Sequence, residues 1–391
     1  LLLQRYSRNG DNELATAVAN TLDRMTEGLF DELEGGIFRY SVTRDWREPH
    51  YEKMLETNTG FLRNLVHAYK ILGQERFAIK ARGLANYILK TLKDPIHGGF
   101  YGSQDADEEY YRLTAEDRSK RTAPAVDRTI FAGWNAEAVV ALLEAGIVLR
   151  EREYIDTALV AWRYAVQHLW NEKVGLVRHM DGQDLYLFAD QAPFFESLLA
   201  VLRLSADDEI PAIANRLVDG VNTAFAGPEG GFVDIMRKES AIGELASPRR
   251  SLPENSKWAR ALALHGMACH APQHVEEARE ILKSFAAKEV ENHGLFAASY
   301  ISAWWALERG PLCVEVHDPE AKEASESELW LAASEILDPG VIVTMTREKG
   351  LRAAQGAAPS AVVCTPSGCS QVITNSKDLS ARLSHTQSSQ V

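Results

Sequence analysis

The 391 residues carry 42 Lys and Arg against 55 Asp and Glu, a formal charge of −13. With no concentrated basic patch, that balance excludes a nucleic-acid backbone or an anionic membrane surface as the main partner and favours a neutral or cationic small molecule. A hydrophobic content of 46% and a charged content of 25% describe a folded globular chain, not a disordered one.

The chain opens on LLLQRYSRNGDN, with no Met, basic leader or cleavage site, which reads as a start inside a helix with more protein upstream. Apolar windows such as AVVALLEAGIVL are broken by an acid and fall short of the ~20 residues of a membrane span, so no transmembrane helix is expected. Four cysteines (Cys269, Cys313, Cys364, Cys369) do not make a disulfide framework and suit a reducing compartment, so a cytoplasmic protein is expected.

After a helical fragment at Leu1 to Ser7, the three-four apolar rhythm predicts a helix over 12–32. Another runs through Met54, Leu55, Phe61, Leu62, Leu65, Val66, Tyr69 and Leu72, and a further one covers 75–93. A helix through Ala138, Val139, Leu142, Ala145, Val148 and Leu149 follows, then helices over 153–170, 186–204, 209–225, 255–271, 274–290 and 295–309, bounded by Gly, Pro, Asp or Asn. Glycine turns punctuate them: GGIF at Gly35, GGFY at Gly98 and GGFV at Gly230, with weaker relatives VGLV at Val174 and HGLF at His293. Glycine serves where a helix ends left-handed and the chain reverses. Positions 36, 99, 175, 231 and 294 are separated by 63, 76, 56 and 63 residues, a spacing that holds two helices and two connections. Repeated helical hairpins stack into an open solenoid or close into a ring.

Eleven helices in pairs, with one more upstream, would complete six hairpins. The expected fold is therefore mainly α, an (α/α)6 barrel (a six-hairpin toroid with its first hairpin truncated) over residues 1–310. After Gly310 the β-branched runs PLCVEVH, GVIVTMT and SAVVCTP, with helical PEAKEASESELWLAASEIL and NSKDLSARL, predict a small α/β region over 311–391.

In a closed ring, the residues after each glycine turn and at the start of the next helix converge on one mouth. The candidates for chemistry there are His50, Glu52, Asp105, Asp107, His179, Asp190 and His293. Imidazoles titrate near neutrality, as a general acid or base must, and paired carboxylates serve hydrolysis. Candidates for binding are Arg39, Tyr40, Trp46, Lys53, Trp134, Asn135, Glu254, Asn255 and Ser256. Structural readings stand beside these: Asp105 and Asp107 suit turn capping as well as an acid/base pair or cation site, Trp134 suits a core plug, and PENS before a helix is a capping sequence. Cys364 and Cys369 are five apart, not a thioredoxin-type C-x-x-C, and no metal or cofactor is expected.

GGIFRYSVTRDWREPHYEKML, GGFYGSQDAD, GWNAEAV and AVVCTPSGC together resemble the bacterial YyaL-type proteins and their animal relatives, the spermatogenesis-associated thioredoxin-domain proteins. The resemblance implies an (α/α)6 barrel similar to N-acylglucosamine 2-epimerase and the six-hairpin glycosidases, preceded by a thioredoxin-like domain absent from this chain. His50-Tyr51-Glu52-Lys53-Met54-Leu55 keeps the core of a family motif. Gln104-Asp105-Ala106-Asp107 loses one acid of another, Pro253-Glu254-Asn255-Ser256 is one residue short, and Ala189-Asp190-Gln191-Ala192 departs from a paired-acid pattern. Two function classes follow. One is a carbohydrate-active barrel with a sugar-like ligand, epimerase/isomerase-like or, alternatively, an inverting glycoside hydrolase. The other is a non-catalytic binding, scaffold or chaperone module.

Overall fold

The computed structural model describes residues 1–204, 209–236, 242–334, 336, 338–346 and 358–388. The chain forms two compact units. The N-terminal unit comprises Leu2–Trp170 with His179–Asp184; the C-terminal unit comprises Asn171–Arg178 and Leu185–Val391 with Leu1.

In the N-terminal unit, α1 (Leu2–Asn9) and α2 (Asn12–Leu29) are followed by α3 (Leu55–Leu72), α4 (Glu75–Tyr87), the short α5 (Glu108–Tyr111) and α6 (Ala115–Arg118), then α7 (Ala132–Leu149) and α8 (Arg152–Tyr164). The Asp11 carboxylate caps α2 by accepting from the Glu13 N–H, while α3 ends on left-handed Gly73, φ 67°. Both α4 and α8 run on into a π-helical turn, Ile88–Leu92 and Ala165–Leu169. The expected helices 75–93 and 153–170 thus change pitch in their last turn. α3 buries Leu55, Phe61, Leu62, Leu65 and Val66. α7 begins six residues before its expected apolar stretch and is long and apolar enough to cross a membrane, but it is a core helix, mostly buried inside the protein.

In the C-terminal unit, α9 (Phe188–Leu202) pairs with α10 (Glu209–Phe225) and α11 (Leu252–Ala268) with α12 (Pro272–Lys283), followed by α13 (Ala287–Asn292) and α14 (Ala298–Glu308). The expected helix 274–290 is broken between α12 and α13. A four-stranded sheet follows, with Leu312–His317 flanked by parallel Val341–Thr346 and antiparallel Ser360–Thr365, and Gly368–Cys369 hairpinned outside Ser360–Thr365. Among the described residues of the helical stretch expected after the first strand, a 3-10 turn at Ala324–Glu326 and α15 (Glu328–Ser334) form; α16 (Ser376–Ser388) closes the described chain. The Trp330 indole donates to the Arg203 carbonyl at 2.6 Å, and α11 packs on the strands Leu312–His317 and Val341–Thr346.

One device recurs at the glycine turns. Ile37, Phe100 and Phe232 each sit in a single antiparallel bridge, opposite Phe30, Lys93 and Ala226. Their neighbours carry the bridge's hydrogen bonds, as in Phe38 N–H to Leu29 O and Tyr101 N–H to Leu92 O. Their own N–H and C=O groups meet a buried amide from the first turn of a helix later in the chain, α3, α7 and α11 respectively. The Asn58 Oδ1 accepts from the Ile37 N–H at 2.8 Å and its Nδ2 donates to the Ile37 carbonyl at 3.1 Å. Asn135 does the same with Phe100 at 2.7 and 2.9 Å, Asn255 with Phe232 at 2.8 and 2.8 Å, and Gln191 with Val177 at 2.9 and 2.8 Å. Each amide also donates to the carbonyl four residues back: Met54, Phe131, Leu187 and Ser251. A carboxamide offers one acceptor and two donors on one planar group, which matches an exposed peptide edge plus one helix carbonyl.

Candidate functional site

In the N-terminal unit, the chain from Arg39 to Lys53 folds back on itself. The strands Tyr40–Ser41 and Pro49–His50 pair antiparallel with Tyr40 opposite His50, and the two rings stack 4.9 Å apart at 12°. Beside them the Arg39 guanidinium bonds the Glu52 carboxylate at 2.8 Å, and the Arg39 N–H donates to the Glu52 carbonyl at 2.8 Å. Tyr40 is exposed, while His50 and Glu52 are half-buried; the His50 Nδ1 is buried without a hydrogen-bond partner among the described residues. Trp46 takes a left-handed φ of 65° at the tip of this loop.

Tyr51 lies edge-on to Phe38 at 4.8 Å and stacks on Tyr111 at 5.9 Å, and those two rings line a buried ionic cage. Lys53 is fully buried; its Nζ donates to Asp31 at 2.7 Å and to the Gly35 carbonyl at 2.8 Å. The ammonium also lies 4.7 Å from the Tyr87 and Tyr111 ring centres and 5.3 Å from Phe38. Arg118 closes the cage, bonding Asp31 at 2.8 Å and the Tyr111 carbonyl at 2.7 Å, with Glu34 at 3.3 Å. Burial pushes the Lys53 amine below its ordinary value although Asp31 opposes the shift. For Asp31 burial acts upward, but the charges and hydrogen bonds of Lys53 and Arg118 win and hold its carboxyl low. Burial, with a hydrogen bond to Glu34, pushes the Tyr110 hydroxyl up to about 12.

A second polar group joins α3 to α7. Arg63 and His67, one turn apart on α3, meet Glu144 on α7. The guanidinium grips the carboxylate through Nε at 2.9 Å and a terminal nitrogen at 3.0 Å, and His67 Nε2 lies 3.1 Å from it. All three are half-buried. Burial acts to raise the Glu144 carboxyl, but the Arg63 charge first and His67 next hold it well below the carboxylate range. An ionised carboxylate can only accept, so His67 Nε2–H donates to it and the imidazole is fixed by that hydrogen bond. Sequence reasoning missed this group. Its signal was present: the acid that interrupts AVVALLEAGIVL is Glu144.

The other expected residues fall as follows. Asp105 is exposed, and its N–H bonds the Ala125 carbonyl at 2.8 Å. Asp107 caps α5, accepting from the Tyr110 N–H at 2.8 Å. Trp134 is half-buried, its ring 4.6 Å from Phe131, which lies 5.2 Å from the His179 ring; the His179 carbonyl accepts from the Ala132 N–H at 3.0 Å. In the C-terminal unit, Asp190 is buried in the first turn of α9, and Glu254 sits in the first turn of α11 with one carboxylate oxygen buried and unpartnered among the described residues. The His293 Nδ1–H donates to the Glu289 carbonyl at 2.8 Å. Four residues expected to bind ligand instead support the scaffold. Lys53, Asn135, Asn255 and Ser256 are essentially without exposed surface, and their polar groups bond protein: Lys53 in the cage, the two amides at the turns, and Ser256 Oγ to the Leu252 carbonyl at 2.6 Å. Among the described residues no three His, Cys, Asp or Glu side chains are grouped to hold a metal ion.

No protein-family model matches the chain. Among curated proteins it is similar to spermatogenesis-associated protein 20: 36% identical to that of Mus musculus over 107 residues, 27% of this chain and 13% of the mouse protein. The Homo sapiens protein is 33% identical over 107 residues, with the same two shares of 27% and 13%. The matched stretch is thus a small part of those relatives' length. Among solved structures it is similar to cellobiose 2-epimerase from Bacillus thermoamylovorans, at a TM-score of 0.58 and 8% identity over 73% of each chain. A D-mannose isomerase is similar at a TM-score of 0.58 and 13% identity over 73% of this chain and 71% of that one. At these identities the likeness is one of fold, and it bears out the (α/α)6 barrel expected from the spacing of the glycine turns.

Proposed function

We propose that the chain is a carbohydrate-active barrel of the epimerase or isomerase type, acting on the reducing end of a sugar. The observation that carries the reading is the His67–Glu144–Arg63 group. Moving a stereocentre or carbonyl along a sugar requires a base to take the proton from the carbon next to the carbonyl and an acid to return one. A half-buried imidazole, with one nitrogen held by a carboxylate that is itself gripped by a guanidinium, suits that work. The substrate class comes from the fold: a cellobiose 2-epimerase and a D-mannose isomerase share it. The stacked Tyr40–His50 pair and the Arg39–Glu52 pair supply an aromatic face and polar hydrogen-bonding groups suited to a sugar ring. The hydrolase alternative is less well served, because Asp107 is engaged as a helix cap.

The test is exchange of the sugar C2 proton in heavy water, followed by proton NMR with D-mannose, D-glucose and cellobiose. Exchange is expected with at least one of them, and His67→Gln should slow it about 100-fold or more. A folded protein that exchanges none of them defeats the reading in favour of a non-catalytic module.

A further inference from the structure

The chain has four cysteines in 391 residues, and three of them fall in one row of the C-terminal sheet. Cys369 is opposite Cys364 on one side, and Cys313 is opposite Cys364 on the other. Residues opposite one another on neighbouring strands share a face, so the three sulfurs lie on the same side of the sheet in the order 313, 364, 369. Cys364 and Cys369 are joined as a disulfide, and Cys313 is a buried thiol. The sparse cysteine content gave no expectation of this bond. Thiol–disulfide exchange proceeds by attack of a sulfur on the near atom of the disulfide, with the far sulfur leaving in line. A row across three adjacent strands places the sulfurs in that order.

We propose that Cys313, Cys364 and Cys369 form a thiol–disulfide exchange site, in which Cys313 displaces Cys369 from Cys364 and releases a thiol at the hairpin for modification by small thiol-reactive molecules. The Cys313 proton passes to solvent, the Cys313–Cys364 bond forms as the Cys364–Cys369 bond breaks, and the electron pair leaves on Cys369, which takes up a proton. No electrons enter or leave the protein, so neither oxidant nor reductant is needed. The two end states differ in where the free thiol sits. Cys313 is fully buried, whereas Cys369 is half-buried on a two-residue strand after the exposed stretch from Pro366 to Gly368. The displaced sulfur is therefore the better solvated one, which makes it the better leaving group.

The surroundings make the step slow at neutral pH and faster in base. Burial pushes the Cys313 thiol up to about 12; the Thr344 hydroxyl, 3.7 Å away, opposes this, and Glu315 on the same strand and Cys269 at the end of α11 add to it. Glu315 is buried, with one oxygen 3.1 Å from His270 Nε2 and 3.8 Å from Cys364 Sγ.

The full chain carrying Cys269→Ser, so that Cys313 is the sole thiol at the start, is held at a series of pH values, quenched in acid, labelled with a maleimide under denaturing conditions and mapped by peptide mass spectrometry. With time, the Cys364–Cys369 link is expected to give way to Cys313–Cys364 and the label to move from Cys313 to Cys369, about tenfold faster per pH unit below the Cys313 titration. Adding Cys313→Ser should abolish labelling. A map with label on Cys313 and the Cys364–Cys369 link intact at every pH overturns the proposal, as does Cys369 labelling that survives Cys313→Ser. Should that variant not fold, the time course of the first protein decides alone.

Discussion

Asn255→Ala tests the turn device most directly. The Asn255 N–H still bonds the Ser251 carbonyl at 3.1 Å after the substitution, so that carbonyl keeps a partner. The Phe232 N–H and C=O lose theirs in a place where Asn255 is fully buried. Each orphaned buried group costs about 1–3 kcal/mol, so the loss should be about 2–6 kcal/mol. Gly231 adds a second reading of the same contact. Its φ is 65°, and a Cβ there would lie 2.8 Å from Asn255 Oδ1. Gly231→Ala should therefore cost less in the Asn255→Ala background than in the native one, the backbone strain remaining and the collision gone. Urea unfolding followed by tryptophan fluorescence reads both, since Trp258 is fully buried on α11. A loss below about 1 kcal/mol for Asn255→Ala, and likewise for Asn58→Ala and Asn135→Ala, would refute the claim that these amides hold the turns.

Lys53→Met should destabilise the N-terminal unit by about 3–5 kcal/mol, because among the described residues it leaves the buried Asp31 carboxylate with Arg118 as its one charged partner, beside the Leu33 N–H; thermal unfolding would show it, and an unchanged midpoint would dissolve the cage as a structural element. The acid limb of stability should depend on Glu144. Its folded-state pKa is depressed, so its contribution is full above the unfolded carboxylate value of about 4.3 and is lost as pH falls towards the folded one. Glu144→Gln should accordingly flatten the stability-against-pH curve below about pH 5, measured by urea midpoints.

The helices were legible because their apolar rhythm is local: Leu55, Leu62, Leu65 and Val66 are all fully buried on α3, as their spacing demands. The glycine turns were legible because a left-handed φ favours glycine, as at Gly35, Gly98 and Gly230. The ionic cage was not. Lys53, Asp31 and Arg118 are separated by 22 and 87 residues, and a Lys beside Glu52 reads as a solvent face until Phe38, Tyr87 and Tyr111 are seen to enclose it. The His67–Glu144 pair was hidden for the same reason, its partners standing 77 residues apart on two helices. Asn135 and Asn255 were singled out as ligand-binding because a polar residue in a first turn can face a ligand, cap the helix or support another backbone. Only the position of the neighbouring turn distinguishes these.

That distinction also explains why one of the four amides is a glutamine. Asn58, Asn135 and Asn255 each follow a turn with two consecutive glycines, whereas the turn at Gly175 carries Leu176 in the second place, and there the amide is Gln191. All four side chains donate to the carbonyl four residues back, so they occupy equivalent helical positions. The extra methylene of Gln191 therefore measures a peptide edge that stands further from its helix, as a turn with a bulky second residue requires. Gln191→Asn should fall short of Val177 and leave its N–H and C=O unbonded, costing about 2 kcal/mol or more in urea unfolding despite the nominal conservatism of the change. Gln191→Asn/Leu176→Gly should recover part of that loss if the turn then settles onto the shorter side chain. A single variant as stable as the native chain would show that reach is not what selects the residue.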